Sequence, residues 1–346
     1  MTESHEQNPP AADPAAVREE ARSGLREALH EVKRVIVGQD AMLERLLVSL
    51  LAGGHVLLEG VPGLAKTLTV KTLAQVLGGS FRRIQFTPDL VPADLVGTRI
   101  YRPDTGRFDT ELGPVFANFL LADEINRAPA KVQSALLEVM QEQQVTIGGT
   151  TYPVPRPFLA MATQNPIESE GTYPLPEAQI DRFLMKILVD YPSVGEEAAV
   201  VGRSLAAPVE VREVIALEDL HRFAEAAGTV LVDREVIGYA VALADASRNP
   251  RRHGLPELES QIAFGASPRG PIGLIGAARV LALLRGRGHV TGDDVRDLAA
   301  DVLRHRIVLS YQALSDGVTP DAVIERLLVA VAEPEEHQLT RTAHAG

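Results

Sequence analysis

Apolar positions along the chain follow two regimes. Between residues 16 and 52, Val17, Leu25, Leu29, Val32 and Val35, then Met42, Leu46 and Leu47, recur at helical spacing. Val37-Gly38-Gln39 interrupts that recurrence, so the pattern predicts two amphipathic helices joined at a turn. Short apolar runs follow at 55–58, 82–86, 119–122, 158–162 and 185–189, with helical spacing over 65–77 and 129–141. Buried runs alternating with helices predict a parallel α/β sheet. The segments 98–110, around Pro-Asp-Thr-Gly, and 144–154, around Gly148-Gly149, read as β-hairpins inserted into that core or as surface decoration. Beyond Tyr191-Pro192 no strand signal remains, and amphipathic helices continue to about residue 332. The chain is therefore expected to divide into a tail (1–15), an α/β domain (16–192), a helical domain (193–332) and a second tail (333–346). Both tails carry almost no large apolar side chain.

Charge and composition narrow the chemistry. Lys plus Arg is 34 against Asp plus Glu at 46, a net charge of −12 over 346 residues. That balance argues against a general basic surface for duplex nucleic acid, though it leaves room for a local patch. With no cysteine, disulfides, thiolate metal sites and cysteine nucleophiles are excluded. The nine histidines are scattered, with no His-x-His or His-Glu-x-x-His spacing, which disfavours a histidine metal centre. The longest charge-free apolar stretch, 46–58, is too short to span a bilayer. The N-terminus lacks the basic and apolar regions of a signal peptide, so a cytoplasmic location is expected.

The strongest chemical signal follows the first strand, in Gly60-Val-Pro62-Gly63-Leu64-Ala65-Lys66-Thr67. Glycines let backbone N–H groups curl around a polyanion, a lysine meets the β/γ-phosphates, a hydroxyl meets Mg²⁺, and a helix N-terminus lies behind them. The strict pattern has glycine before the lysine, and Ala65 stands there instead. A negative φ in the first helical turn would let residue 65 carry its methyl group at little cost. The bland reading is a Gly/Pro turn that happens to carry Lys-Thr. Next, the run 119–122 ends in Asp123-Glu124, two carboxylates at the C-terminal edge of a parallel sheet. Asp123 is suited to the Mg²⁺ shell and Glu124 to orienting and deprotonating a water, or both are helix-capping acids before Pro129. In Thr163-Gln164-Asn165-Pro166 a polar amide could meet the γ-phosphate, although Asn before Pro also opens turns. Arg182 closes a short helical segment before the fifth strand. Arg269 follows Ser267 as N-cap and Pro268 at the first helical position. For any single arginine a solvated or salt-bridged surface role is the alternative.

Taken together these blocks resemble an AAA+ ATPase, and specifically the MoxR family. They are residues 60–67, Asp123-Glu-Ile-Asn-Arg127, Gln164-Asn-Pro166, Leu175-Pro-Glu-Ala-Gln-Ile-Asp-Arg-Phe183 and Gly265-Ala-Ser-Pro-Arg269. Ala65 is a common feature of that family, and Val37-Gly38-Gln39 looks like its adenine-side segment. The resemblance implies an AAA+ core with a five-stranded parallel sheet of order 5-1-4-3-2, a helical lid and a hexameric ring. ATP and Mg²⁺ would be bound by Val37, Gly38, Gly60, Pro62, Gly63, Leu64, Ala65, Lys66 and Thr67, with Asp123 and Glu124 as Walker B. Asn165 would be the first sensor, Arg182 the arginine finger for the neighbouring subunit, and Arg269 the second sensor. The two hairpins match the helix-2 insert and the pre-sensor hairpin of this clade. The partners implied are client proteins with a von Willebrand factor A domain, remodelled for metal or cofactor insertion or for assembly. Competing readings are a nucleic-acid motor of the same clade, a magnesium-chelatase-like ATPase subunit and a nucleotide-sensing scaffold. The acidic charge and the 4% aromatic content disfavour the first.

Overall fold

Asp13 begins the described chain as a helix cap, its carboxylate accepting the Ala15 N–H at 3.0 Å, with Pro14 at the first helical position. Helix α1 (Pro14–Lys33) thus starts slightly before the expected end of the tail. The computed structural model describes residues 13–61, 63–165, 171–207 and 209–334. After α1 come α2 (Asp40–Leu51), β1 (Val56–Glu59), α3 (Lys66–Val76), β2 (Phe81–Gln85) and α4 (Pro92–Val96). The first hairpin pairs β3 (Gly97–Arg102) with β4 (Arg107–Leu112), and β5 (Phe119–Asp123), a 3-10 turn and α5 (Ala130–Glu142) follow. The second hairpin, β6 (Gln144–Ile147) with β7 (Thr150–Pro153), leads to β8 (Leu159–Gln164), α6 (Glu177–Ile180) and β9 (Met185–Leu188).

The sheet is parallel throughout, with order β2-β5-β8-β1-β9. Counted along the chain as five core strands this is 2-3-4-1-5, the expected 5-1-4-3-2 from the other edge. Alternation splits its side chains between two cores. Val56, Leu58, Phe119, Leu121, Leu159, Met161, Met185 and Ile187 pack on one face with α1, α2 and α3. Leu57, Leu120, Ala122, Ala160 and Ala162 pack on the other with α5 and the second hairpin. The hairpins touch each other: Tyr152 Oη donates to Thr110 Oγ1 at 3.2 Å, and a Cβ on Gly148 would run into Arg99.

The second half is helical: α7 (Val194–Ser204), α8 (Leu217–Gly228), α9 (Arg234–Arg248), α10 (Arg269–Leu284), α11 (Gly292–Leu303), α12 (Tyr311–Ser315) and α13 (Pro320–Ala330). One departure from the sequence expectation is a small antiparallel ladder of β10 (Ile262–Phe264) with β11 (Val308–Leu309). Strands of three and two residues are too short to register as an alternating pattern. The first core continues unbroken into α8, α9, α10, α11 and α13. Buried Arg45 of α2 reinforces that junction, meeting Asp297 at 2.9 Å and Asp301 at 2.8 Å on α11.

Candidate functional site

Parallel strands bring their C-terminal ends to one edge, and β1, β5 and β8 each deliver polar residues there. Past β1, Gly60 is required sterically, because a Cβ would strike the Val189 carbonyl. Gly63 has φ +87°, a backbone that favours glycine. Pro62 lies outside the described residues. Ala65 corrects an expectation: its φ is +54°, left-handed, since α3 begins one residue later and residue 65 is still completing the loop. A left-handed L-residue costs about 1–2 kcal/mol. Gln39 and Glu124, both at φ +57°, share this conformation; of the four such non-glycine residues described, three are at this site. Strain concentrated at one place marks a constrained functional region.

Helix α3 has no side-chain cap, so its first N–H groups remain available to an anion. Lys66 Nζ donates to the Gly60 carbonyl at 2.6 Å. Burial pushes the Lys66 ammonium below its ordinary pKa, opposed by Asp123 and Glu59. At the end of β5, Asp123 Oδ1 accepts the Thr163 hydroxyl at 2.6 Å and Oδ2 accepts Arg83 Nη2 at 2.6 Å. Thr163 Oγ1 in turn accepts the Glu124 N–H at 2.8 Å. Glu124 Oε2 accepts Gln85 Nε2 at 2.7 Å and pairs with Arg127 Nε at 2.9 Å. A cavity of about 520 Å³ is lined by Gly60, residues 63–68, Arg83, Asp123, Glu124 and residues 163–165, including the buried Asn165. Pro166 lies outside the described residues.

A second cavity of about 590 Å³, more apolar, shares Gly63, Leu64, Ala65 and Leu68 with the first. Val37, Gln39, Tyr191 and Val200 line it, the last on α7. Gly38 holds φ +63° against α7, where a Cβ would strike the Glu196 carboxylate. Gln39 Nε2 donates to the Leu64 carbonyl at 3.1 Å, tying this turn to the loop below.

The two remaining arginines line neither cavity. Helix α6 stops at Ile180, so Arg182 sits in the following turn, exposed, rather than on the helix end expected. Ser267 Oγ accepts the Arg269 N–H at 3.2 Å, the capping role expected of it, although regular α10 starts at Arg269 with Pro268 already in helical conformation. Arg269 Nη1 reaches Asp181 Oδ2 at 3.4 Å. Sequence reasoning missed Arg83 and Gln85, and for Gln39, inside the adenine-side segment, it missed the contact to the loop. Gln85 pairs in register with Asp123, a relationship visible only once β2 is known to lie beside β5.

Among the described residues, no group of three or more His, Asp or Glu side chains could hold a metal ion. The chemistry fits Mg²⁺ shared with phosphate oxygens, which needs only one or two carboxylates. Asp123 Oδ2 accepts both Nε and Nη2 of Arg83, at 3.1 and 2.6 Å, whereas Oδ1, with the Thr163 hydroxyl on it, keeps a further lone pair for such an ion. No helix among the described residues is long and apolar enough to cross a membrane.

Comparison with known proteins agrees with this geometry. The model of the ATPase family associated with various cellular activities (AAA) matches residues 55–185, and an AAA lid domain matches 257–327. The chain is 58% identical to the chaperone MoxR1 of Mycobacterium tuberculosis, over 93% of this chain and 85% of that protein. It is 34% identical to protein MoxR of Paracoccus denitrificans, over 90% of this chain and 96% of that one. The crystal structure of a candidate ATPase from Cytophaga hutchinsonii superposes with a TM-score of 0.88 at 46% identity, covering 92% of this chain and 98% of that one.

Proposed function

The chain belongs to the MoxR family of AAA ATPases, and from that premise we propose that it is a chaperone-like machine hydrolysing ATP at an interface between neighbouring copies. The observation that carries this reading is the convergence of Lys66, Asp123, Glu124 and Asn165 on one cavity at the ends of β1, β5 and β8. Residues 16–192 form the nucleotide-binding domain and 193–332 the lid; the two family-model matches, falling on either side of residue 192, support that division.

The N–H groups of residues 63–67 and the Lys66 ammonium hold the β- and γ-phosphates. Lys66 exchanges its Gly60 contact for them. Gly60 lets the loop pass under Val189. Val37 and Gly38 border the more apolar cavity, which takes the base. Thr67 and Asp123 hold Mg²⁺, which when bound would neutralise charge on the phosphate oxygens. Glu124 removes the proton from the attacking water, held in line by Gln85 and Arg127. Asn165 hydrogen-bonds the γ-phosphate or that water. Arg269 reads the nucleotide of its own subunit. Arg182, exposed and outside its own cavity, reaches the γ-phosphate of the next subunit in a hexameric ring. The clients are proteins with a von Willebrand factor A domain, remodelled for assembly or for metal or cofactor insertion; family resemblance supports this. ATP as substrate supports a cytoplasmic location.

Glu124→Gln tests the reading. Losing the base while keeping shape costs about 10²–10⁴ in rate, so turnover should collapse while ATP binding persists. Turnover within a few-fold of wild type would relegate Glu124 to a structural role.

A further inference from the structure

One buried guanidinium grips the turn that carries Arg182. The Arg306 side chain is 3% exposed and donates from Nε to Asp181 Oδ1 at 2.9 Å. Its Nη2 donates to the carbonyls of Asp181 at 3.1 Å and Phe183 at 2.7 Å. Its Nη1 donates to the Leu184 carbonyl at 3.1 Å and also to Val302. The acceptors on Asp181, Phe183 and Leu184 bracket Arg182 in sequence. The neighbouring His305 adds Nε2–H to the Phe183 carbonyl at 3.0 Å. Burial pulls Arg306 down to about 10, with Asp181 opposing, so it stays charged at neutral pH. Only a planar fork of five donors can satisfy so many acceptors from one buried position.

Asp181 is also shared. While Oδ1 faces Arg306, Oδ2 accepts the Ser267 hydroxyl at 3.0 Å and Arg269 Nη1 at 3.4 Å. Arg269 is half exposed and its contact is the longer of the two ion pairs, so it is the one to break first.

We propose that Arg306 is a positioning residue for Arg182, and that Asp181 couples it to Arg269. Phosphate drawing Arg269 off Asp181 in one subunit then resets the arginine offered to the next. This rests on the roles assigned above to Arg182 and Arg269.

Arg306→Lys keeps the charge but lacks the fork. With a reacting group misplaced by a distant change, kcat should fall about 10²-fold while binding of a fluorescent ATP analogue is unchanged. Mixed with Glu124→Gln subunits, Arg306→Lys should recover activity above the sum of the two, because only its outgoing arginine is defective. Asp181→Asn, the milder variant should Arg306→Lys fail to fold, keeps an acceptor for Arg306 but releases Arg269. It should lower KM and kcat together, a split that a damaged fold would not produce. Wild-type kcat in Arg306→Lys, or an unchanged or raised KM in Asp181→Asn, overturns the proposal. So does a loss in Arg306→Lys that mixing fails to recover while a parallel Arg182→Ala mixture recovers; in each of these cases the reading of Arg182 survives. Wild-type turnover in Arg182→Ala would instead remove that reading, and the coupling with it.

Discussion

Replacing Ala65 by glycine isolates the backbone of the proposed phosphate loop from its side chains. Ala65 sits at φ +54°, ψ +19°, directly before α3. Relieving a left-handed L-residue is worth about 1–2 kcal/mol, and the greater unfolded-state freedom of glycine takes back about 0.5–1 kcal/mol. The net expectation for Ala65→Gly is a gain of about 0.5–1 kcal/mol. Urea unfolding should show a higher midpoint with an unchanged slope, which separates stability from a change in compactness. Ala65→Val should move the midpoint the other way, because a β-branched side chain tolerates this region worst. ATP binding should survive in Ala65→Gly, since the backbone N–H stays in place. A lower midpoint in Ala65→Gly would refute the reasoning, because it would put residue 65 at a negative φ, inside the helix.

Lys66→Ala should abolish nucleotide binding by calorimetry with ATP and Mg²⁺, since Lys66 supplies the loop's own cation; near-normal affinity would overturn the loop assignment. His55 gives a pH signature. Its Nδ1 accepts the Ala160 N–H at 3.1 Å, its Nε2–H meets the Met140 carbonyl at 3.0 Å, and burial lowers its pKa from 6.5 to about 4. The unfolded chain therefore takes the proton first: this stability is complete above pH 6.5 and is lost as pH falls towards 4. At pH 5 the loss is about 2 kcal/mol, and urea unfolding of His55→Gln should show that much less pH sensitivity; an unchanged sensitivity would contradict it.

Much of this molecule is legible in the sequence, for identifiable reasons. The strands were readable because β1, β5 and β8 are buried on both faces and present unbroken apolar runs. The convergence of the glycine-rich loop at 60–67 and the Asp123-Glu124 pair on one sheet edge was readable because each is contiguous in the chain and follows a buried strand. Arg83 and Gln85 were not, because they act across a strand pair and resemble solvent-facing residues of an edge strand. The left-handed conformation of Ala65 was hidden because helix starts are uncertain by a residue or two, and here one residue reverses the sign of φ. Arg306 carried no motif at all. What singles it out is four acceptors on Asp181, Phe183 and Leu184 that only the packing of α11 against β9 brings to it.

Most direct for the central claim, a site shared between neighbouring copies, is ATP turnover in mixtures of Arg182→Ala and Glu124→Gln subunits. Arg182→Ala keeps its Glu124 but offers no finger; Glu124→Gln offers a finger but cannot use one. An arginine finger is worth about 10³–10⁵ in kcat, so each variant alone should be nearly inactive with ATP affinity retained. Mixed assemblies contain interfaces where an intact site meets an intact finger, and turnover should rise above the sum of the separate variants. Full activity in Arg182→Ala alone would contradict the account.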